Sequence, residues 1–283
     1  MPFSNYTKHF EKGSWVGPGG GTKRFKMIDW SLIKGQSVLD LGCANGMLAI
    51  ESKIQGAKKA LGVDKGDWIP SVRQSVREVN LDVEFWQVDI ESREFKRYCP
   101  VFDVVFFCAM LSHMRDGPEM LRWIDNHTKK LLYFVSNLGE NNKAQRESVK
   151  KYTSFDAIKF IGQTGEEGLP NEGTRYMWSC RRTGKENQFE SWRDAPVTFL
   201  PADEVKRVSS EVCEKLWLSE RTLELKENIR INGLTSPLTC HKVGEHLYLP
   251  REGGKRCCIL QALGYKDFPY KIVPPPPDPP PSW

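Results

Sequence analysis

The stretch Ser37-Val38-Leu39-Asp40-Leu41-Gly42-Cys43-Ala44-Asn45-Gly46 decides the fold: a run of strand formers stops at small, turn-prone residues. Val38, Leu39 and Leu41 give the near-continuous apolar pattern of a parallel strand covered on both faces, and Met47-Leu48-Ala49-Ile50 then begins a helical run. Strand, tight turn and helix start follow in that order. Gly42 and Gly46 stand where the backbone turns sharply and where a ligand would come close, positions that a Cβ would obstruct. Such a turn also serves as an ordinary strand-to-helix loop in α/β proteins, so it marks a nucleotide-type cofactor site only if other strand ends supply partners.

Two acidic residues supply them. Asp64 ends the next predicted strand, Ala60-Leu61-Gly62-Val63-Asp64, about 20 residues after the turn, where a carboxylate can accept both hydroxyls of a ribose lying across the strand tips. Asp40, just before the turn, would repel a pyrophosphate but suits a cofactor carrying an amino group and a sulfonium. That favours S-adenosylmethionine over a nicotinamide dinucleotide.

Val38 to Gly46 resembles the first motif of class I S-adenosylmethionine-dependent methyltransferases, an acidic residue followed by a G-x-G-like turn, with Ala44 where many members carry glycine. Asp64 is similar to their ribose-binding acid. Val88-Asp89-Ile90, after the candidate strand Val83-Glu84-Phe85-Trp86, is similar to the segment that contacts adenine. Phe102-Asp103-Val104-Val105-Phe106-Phe107 resembles their fourth strand, and Met110-Leu111-Ser112-His113-Met114 the segment that follows it. The resemblance implies an α/β, Rossmann-like, doubly wound and mainly parallel sheet. It also implies cofactor contacts from Asp40, Gly42, Cys43, Ala44, Gly46, Asp64, Lys65, Asp89, Ile90 and Cys108. Cys99-Pro100 has the wrong order for the Pro-Cys nucleophile of cytosine C5 enzymes. Asp278-Pro279-Pro280-Pro281 lies in a proline tract rather than after the fourth strand, so it is not the signature of base-amino methyltransferases.

Strand candidates at 37–41, 60–63, 83–86, 102–107 and 131–135 alternate with helical candidates at 46–55, 69–79 and 118–126, which makes βαβ units and a parallel sheet. Segments around 157–161 and 175–179 could complete it as an antiparallel pair, with the Gly162 to Gly173 loop shaping the acceptor pocket. Ligands in such sheets bind outside the carboxyl ends of the strands, where Gly42, Asp64, Asp89 and the stretch from Cys108 to His113 all fall. His113 is the candidate catalytic residue, a neutral imidazole able to take a proton from an acceptor hydroxyl, amine or ring nitrogen. The preferred reading is that it packs against the cofactor or caps the next turn, because methyl transfer from a sulfonium depends mainly on in-line positioning. Ahead of the first strand, Gly17 to Gly21 and the helical run Lys23 to Ile33 read as a lid over the cofactor or, preferred, a mobile linker.

After Arg193-Asp194-Ala195-Pro196 the composition changes. Glu204 to Arg230 has helical spacing, Asn232-Gly233 is a stop, and strands at 238–243 and 246–249 precede a helix opened by Gly253-Gly254-Lys255-Arg256 and ended by Gly264. This order resembles the ParB/sulfiredoxin-like fold on Ile229, Gly233, Leu234, Pro237, Leu238, Gly253, Lys255, Arg256, Leu263 and Gly264. In that family the basic turn holds nucleotide phosphates, which implies a nucleotide or nucleic-acid role for Gly253, Gly254, Lys255 and Arg256, with docking of a protein partner as the alternative. Gly254 stands where sulfiredoxin has its cysteine, so sulfiredoxin chemistry is not expected. The expected organisation is an N-terminal lid or helix region over 1–35, a methyltransferase domain over 36–198, a smaller α+β domain over 203–273 and an extended Pro-rich tail over 274–283. Pro196 and Pro201 mark a junction at which the chain should separate into two folded pieces.

The 283 residues carry a net charge of +5, compatible with a nucleic-acid partner without requiring one. No stretch reads as a signal peptide or a bilayer span, and no metal-ligand spacing occurs, so a cytoplasmic protein without a metal is expected. The eight cysteines are scattered without C-x-x-C pairs and are read as reduced. The competing class is a non-catalytic protein that works by binding nucleotide or nucleic acid through the second domain. The methyl acceptor and the oligomeric state stay open.

Overall fold

The computed structural model describes residues 9–16, 22–137, 142–163, 175–182, 197–201, 205–206, 220–243, 246–249 and 251–273. They fall into two compact units. One comprises residues 1–91 and 101–190, the other residues 92–100 and 191–283, so the chain passes between the units three times.

The first unit opens with a hairpin of β1 (His9–Glu11) and β2 (Ser14–Val16), followed by helix α1 (Thr22–Met27) and a 3-10 turn at Trp30–Leu32. The alternating part then runs β3 (Ser37–Leu41), α2 (Met47–Ile54), β4 (Lys59–Asp64), α3 (Ile69–Glu78) and β5 (Glu84–Gln87). The chain enters the other unit as α4 (Arg93–Tyr98) and returns as β6 (Phe102–Cys108), α5 (Gly117–His127), β7 (Thr128–Val135), α6 (Asn142–Tyr152), β8 (Ala157–Gln163) and β9 (Tyr176–Arg181). The sheet order is β5-β4-β3-β6-β7-β9-β8. β5, β4, β3, β6 and β7 are mutually parallel, and β9 is antiparallel to both β7 and β8. The architecture is α/β with a mainly parallel sheet.

The physical cause is legible in the strands. Val38, Leu39 and Leu41 of β3 are fully buried, as are Val105, Phe106 and Phe107 of β6, so both faces of the central strands are covered and apolar residues occupy successive positions. The strand order reverses between β3 and β6, and the crevice of an open α/β sheet lies at such a switch point.

Residues 22–33 are part of this unit rather than a linker. Ile28 and Ile33 are buried in a cluster with Val38, Phe106 and Tyr133, and the Asp29 N–H donates to Tyr133 Oη at 3.3 Å. The rings of Phe10, Trp15, Phe25 and Trp30 follow one another at centroid spacings of 5.1, 6.1 and 5.9 Å, so aromatic packing supplies the order that the glycine run hides in the sequence. Residues 17–21, the loop at 164–174 and the proline tract lie outside the described residues.

The second unit has a five-stranded sheet ordered β10 (Val197–Pro201), β14 (Asp267–Val273), β12 (Leu238–Val243), β13 (His246–Tyr248), β11 (Val205–Lys206), with helices α7 (Glu220–Asn232) and α8 (Arg251–Ala262). Its core holds Ile229, Leu234, Leu238, Cys240, Ile259, Leu260, Phe268 and Tyr270. The expected junction is here a strand: Val197 and Phe199 are buried and β10 pairs along β14, with Pro201 at the end of an edge strand where no ladder donor is needed. Of the helical run expected over 204–230, residues 205–206 are strand and the described helix begins at Glu220.

α4 belongs to this unit although it lies inside the span expected for the first domain. Phe95 is fully buried. Glu94, 3% exposed, accepts from the Leu234 N–H at 2.8 Å and the Tyr265 hydroxyl at 3.0 Å. The Leu234 carbonyl accepts from Arg97 Nη1 at 2.7 Å and Tyr98 Oη at 3.0 Å, and Arg93 donates to the Ile231 carbonyl. The end of α7 and its Gly233 turn are therefore satisfied by side chains about 140 residues earlier in the chain. The expectation that the cysteines are reduced fails at Cys258, which is disulfide-bonded, whereas Cys43, Cys99, Cys108, Cys180, Cys240 and Cys257 are free.

Candidate functional site

The site is built from four loops, at the carboxyl ends of β3, β4, β5 and β6. As β3 ends, the N–H groups of Gly42 and Cys43 both donate to the Val63 carbonyl, at 2.8 and 3.0 Å. The turn then needs three positive φ angles, at Gly42 (68°), Ala44 (47°) and Gly46 (77°). Ala44 takes the left-handed region at some steric cost, which fits the departure from glycine seen there in the sequence. The two glycines are required by protein neighbours. A Cβ on Gly42 would fall 2.6 Å from Met110 Sδ, and one on Gly46 would fall 2.6 Å from the Phe85 ring. The space that the sequence reading reserved for a ligand at Gly46 is filled by Phe85.

Asp64 ties two loops together. Its Oδ2 accepts from the Ala44 N–H at 3.0 Å and its Oδ1 from the Gly66 N–H at 2.8 Å, so the carboxylate spans the first turn and the loop after β4. A carboxylate has about four acceptor sites, so two remain for further donors. Lys65 stands beside it with Nζ 3.8 Å from Asp89 Oδ2, and Asp89 Oδ1 accepts from the Glu91 N–H at 2.9 Å. Ile90 is buried.

Glu91 carries the connection onward by accepting from the Arg115 N–H at 2.8 Å and Arg115 Nε at 3.3 Å. The loop after β6 is held from the other side by Asn137, whose Nδ2 donates to the Ala109 carbonyl at 2.6 Å and whose Oδ1 accepts from the Ser112 N–H at 3.1 Å. Within this loop Ala109 has φ 56°, and His113 is exposed in the 3-10 turn Leu111–His113.

Asp40 is 3% exposed, deep in β3 between Gly62 and Phe106. Burial pushes its carboxyl up to about 7, against the opposing pull of Arg24 and a hydrogen bond from the Ala49 N–H, while Asp64 adds to the rise. The sequence reading treated it as a standing charge, yet near neutral pH it divides between charged and neutral forms. Cys108 is pushed up to about 12, mainly by burial, and is a protonated thiol at the site wall.

Most of the sequence-chosen residues thus gather at one set of strand ends: Gly42, Cys43, Ala44, Gly46, Asp64, Lys65, Asp89, Ile90, Cys108 and His113. The reading missed Glu91, Met110, Asn137, Arg24 and Trp68. Trp68 is 41% exposed, and a Cβ on Gly66 would fall 2.0 Å from its ring. A lone tryptophan in the turn after Asp64 was the available signal. In the second unit Gly253, Gly254, Lys255 and Arg256 lie inside α8, which begins at Arg251, so the basic pair stands in the second turn rather than at the helix N-terminus. Arg256 Nη1 donates to Ser236 Oγ at 3.0 Å.

Residues 23–159 match a sequence family described as a methyltransferase domain, a span that opens in α1 and closes in β8. This segment is thus similar to methyltransferase domains, a family that uses S-adenosylmethionine. Ribosomal protein L11 methyltransferase of Thermosipho africanus is 30% identical over 98 residues, 34% of this chain and 38% of that protein. Ubiquinone biosynthesis O-methyltransferase of Coxiella burnetii is 23% identical over 217 residues, 66% of this chain and 88% of that one. A crystal structure of magnesium protoporphyrin IX methyltransferase from Synechocystis PCC 6803 with bound S-adenosylmethionine is similar at 17% identity and TM-score 0.46, covering 57% of this chain and 77% of that one. The chain spans between 25% and 38% of the length of the first curated relatives it matches. No helix among the described residues is long and apolar enough to cross a membrane.

Proposed function

We propose that this chain transfers a methyl group from S-adenosylmethionine to an acceptor held over the carboxyl ends of β6 and β7. The observation that carries this is the placement of Asp64, whose carboxylate is fixed by Ala44 and Gly66 and keeps two acceptor sites for the vicinal hydroxyls of a ribose. Gly42, Cys43 and Ala44 line the amino-acid end of the cofactor, Lys65, Asp89 and Ile90 its base end, and Cys108 the side toward the acceptor. Bound there, the cofactor supplies an electrophilic methyl on a sulfonium. The chain's own task is to orient the acceptor and exclude water, and the hydrogen-bonded loop of Ala109, Ser112 and Asn137 supports such a fixed rim. His113, exposed on that rim, can receive a proton from the acceptor, yet positioning carries most of the rate.

The second unit, in this reading, is a ParB/sulfiredoxin-like module that recognises the substrate or a nucleotide. The order α7, glycine turn, β12, β13, α8, β14 supports it.

Incubation of the chain with methyl-labelled S-adenosylmethionine and separated protein, RNA and small-molecule fractions tests the activity. Label should enter one fraction and be lost with Asp64→Ala, while His113→Ala slows transfer less than the ~10²-fold of a lost general base. Binding of the cofactor with no transfer into any fraction would instead leave a binding protein without catalysis and overturn the proposal.

A further inference from the structure

One face of the first unit's sheet carries an aromatic row that runs out to its edge. Phe107 of β6, Phe134 of β7, Trp178 of β9 and Phe160 of β8 lie side by side in register, with successive ring centroids 6.3, 5.7 and 6.3 Å apart. The first three are core residues, whereas Phe160 on the edge strand is 51% exposed. Tyr176, half-buried, stands 5.8 Å from Phe160 and 6.1 Å from Trp178. Its N–H donates to Ser136 Oγ at 3.0 Å and its carbonyl accepts from the Ser136 N–H at 2.9 Å. Ser136 directly precedes Asn137, the residue that holds the rim after β6, so the aromatic edge begins beside the place where an acceptor would sit.

Helix α6 starts from the same rim, where the Asn137 N–H donates to Gln145 Oε1 at 2.9 Å. Gln145 and Val149 turn one side of the helix inward, and the charge of Arg146 reaches Cys180, on the same face of β9 as Trp178. Lys143, Arg146 and Lys150 are spaced three and four residues apart and form one stripe, with Lys143 and Lys150 exposed. Lys151 adds a fourth cation. Against these stands one acid of the helix, Glu147, which Arg146 and Lys150 share at 2.9 and 3.8 Å. The β8 edge is blunted against strand addition by a second copy, since Lys159 is exposed and the pairing slips between Phe160 and Gly162. A basic stripe beside open aromatic rings matches instead a chain of phosphates carrying planar bases, each of which can stack whatever its sequence.

We propose that this face binds single-stranded nucleic acid, with phosphates along Lys143, Arg146 and Lys150 and bases on Phe160 and Tyr176, and so leads one nucleotide to the rim at Asn137. The inference rests on the transfer reading above and deepens it by naming the class of acceptor. A duplex does not fit this surface, because its bases are stacked on one another and offer no free ring to Phe160.

The test is fluorescence anisotropy of the full chain with end-labelled oligouridylate and oligothymidylate and with a mixed-sequence duplex of the same length, beside calorimetry with S-adenosylhomocysteine. At least one single strand should bind with Kd ~1–100 μM and weaken as salt rises, the tighter of the two naming the sugar. Phe160→Ala should lose ~5–100-fold at an unchanged melting temperature, and Phe160→Leu, which keeps apolar bulk without a ring, should lose nearly as much. The double variant Lys143→Glu, Lys150→Glu should flatten the salt dependence. Full affinity in Phe160→Ala, a duplex bound as tightly as the single strands, or methyl label entering the protein fraction alone would each overturn the proposal. Binding of S-adenosylhomocysteine with neither strand bound would overturn this surface and leave the cofactor reading standing. Strand binding with the expected variant losses but without S-adenosylhomocysteine binding would overturn the transfer reading alone, which separates the two failures.

Discussion

At the residue scale the account turns on two carboxylates with opposite environments. Asp64 accepts two backbone N–H groups, while Asp40 loses solvent and is pushed up to about 7. Because the folded state holds the Asp40 proton more tightly than the unfolded chain does, the folded form binds more protons between about pH 4 and 7. Stability from this group therefore falls as pH rises through that window. Asp40→Asn should leave the melting temperature near the wild-type value at pH 5 and raise it by a few degrees at pH 8. The same variant should flatten the pH dependence of cofactor affinity, which in the wild type should weaken as pH drops below about 7 and the carboxyl loses its charge. A stability difference that does not change between pH 5 and 8 would contradict the burial argument. Asp40 and Asp64 were both legible in the sequence from their places at strand ends. The burial that pushes Asp40 up was not, because it depends on the neighbours that cover it.

At the element scale the turn after β3 shows why a glycine can be recognised from sequence and its reason mistaken. Gly35 and Gly46 both have positive φ, but a Cβ on Gly35 meets nothing within 4 Å, whereas one on Gly46 meets Phe85. Gly35→Ala should cost the strain of the left-handed region alone, ~1 kcal/mol, and Gly46→Ala should add overpacking of ~1–3 kcal/mol. Chemical denaturation of the two variants would measure the difference, and equal losses would contradict the packing reading. Strands β3 to β7 could be read because their apolar runs stand between clear turn residues. α6 could not, since its Asn142–Tyr152 sequence is polar on nearly every side. α4 is a six-residue helix, and the partners that bury Phe95 and Glu94 lie about 140 residues further along, beyond the reach of any local pattern. β10 was hidden by its flanking prolines, which look the same in a linker and at the end of an edge strand.

At the scale of the whole molecule, the three chain crossings between units replace the single severable junction that the prolines suggested. A fragment covering 191–283 lacks α4, leaving the Leu234 N–H and the Tyr265 hydroxyl without Glu94, and the core without Phe95. It should not unfold cooperatively by circular dichroism, and a peptide of residues 90–102 added in trans should restore structure to it. A cooperative transition of the fragment alone would show that α4 is dispensable to that unit. The central claim concerns the first unit, where the Gly42 turn, Asp64 and the Asp89 loop are joined by hydrogen bonds into one cofactor cradle. Calorimetric titration of the full chain with S-adenosylhomocysteine tests it most directly. The account predicts one site of micromolar affinity, weakened in Asp64→Ala by ~1.5–3 kcal/mol as the acceptors for two hydroxyls are lost; an absence of binding by the wild type would contradict it.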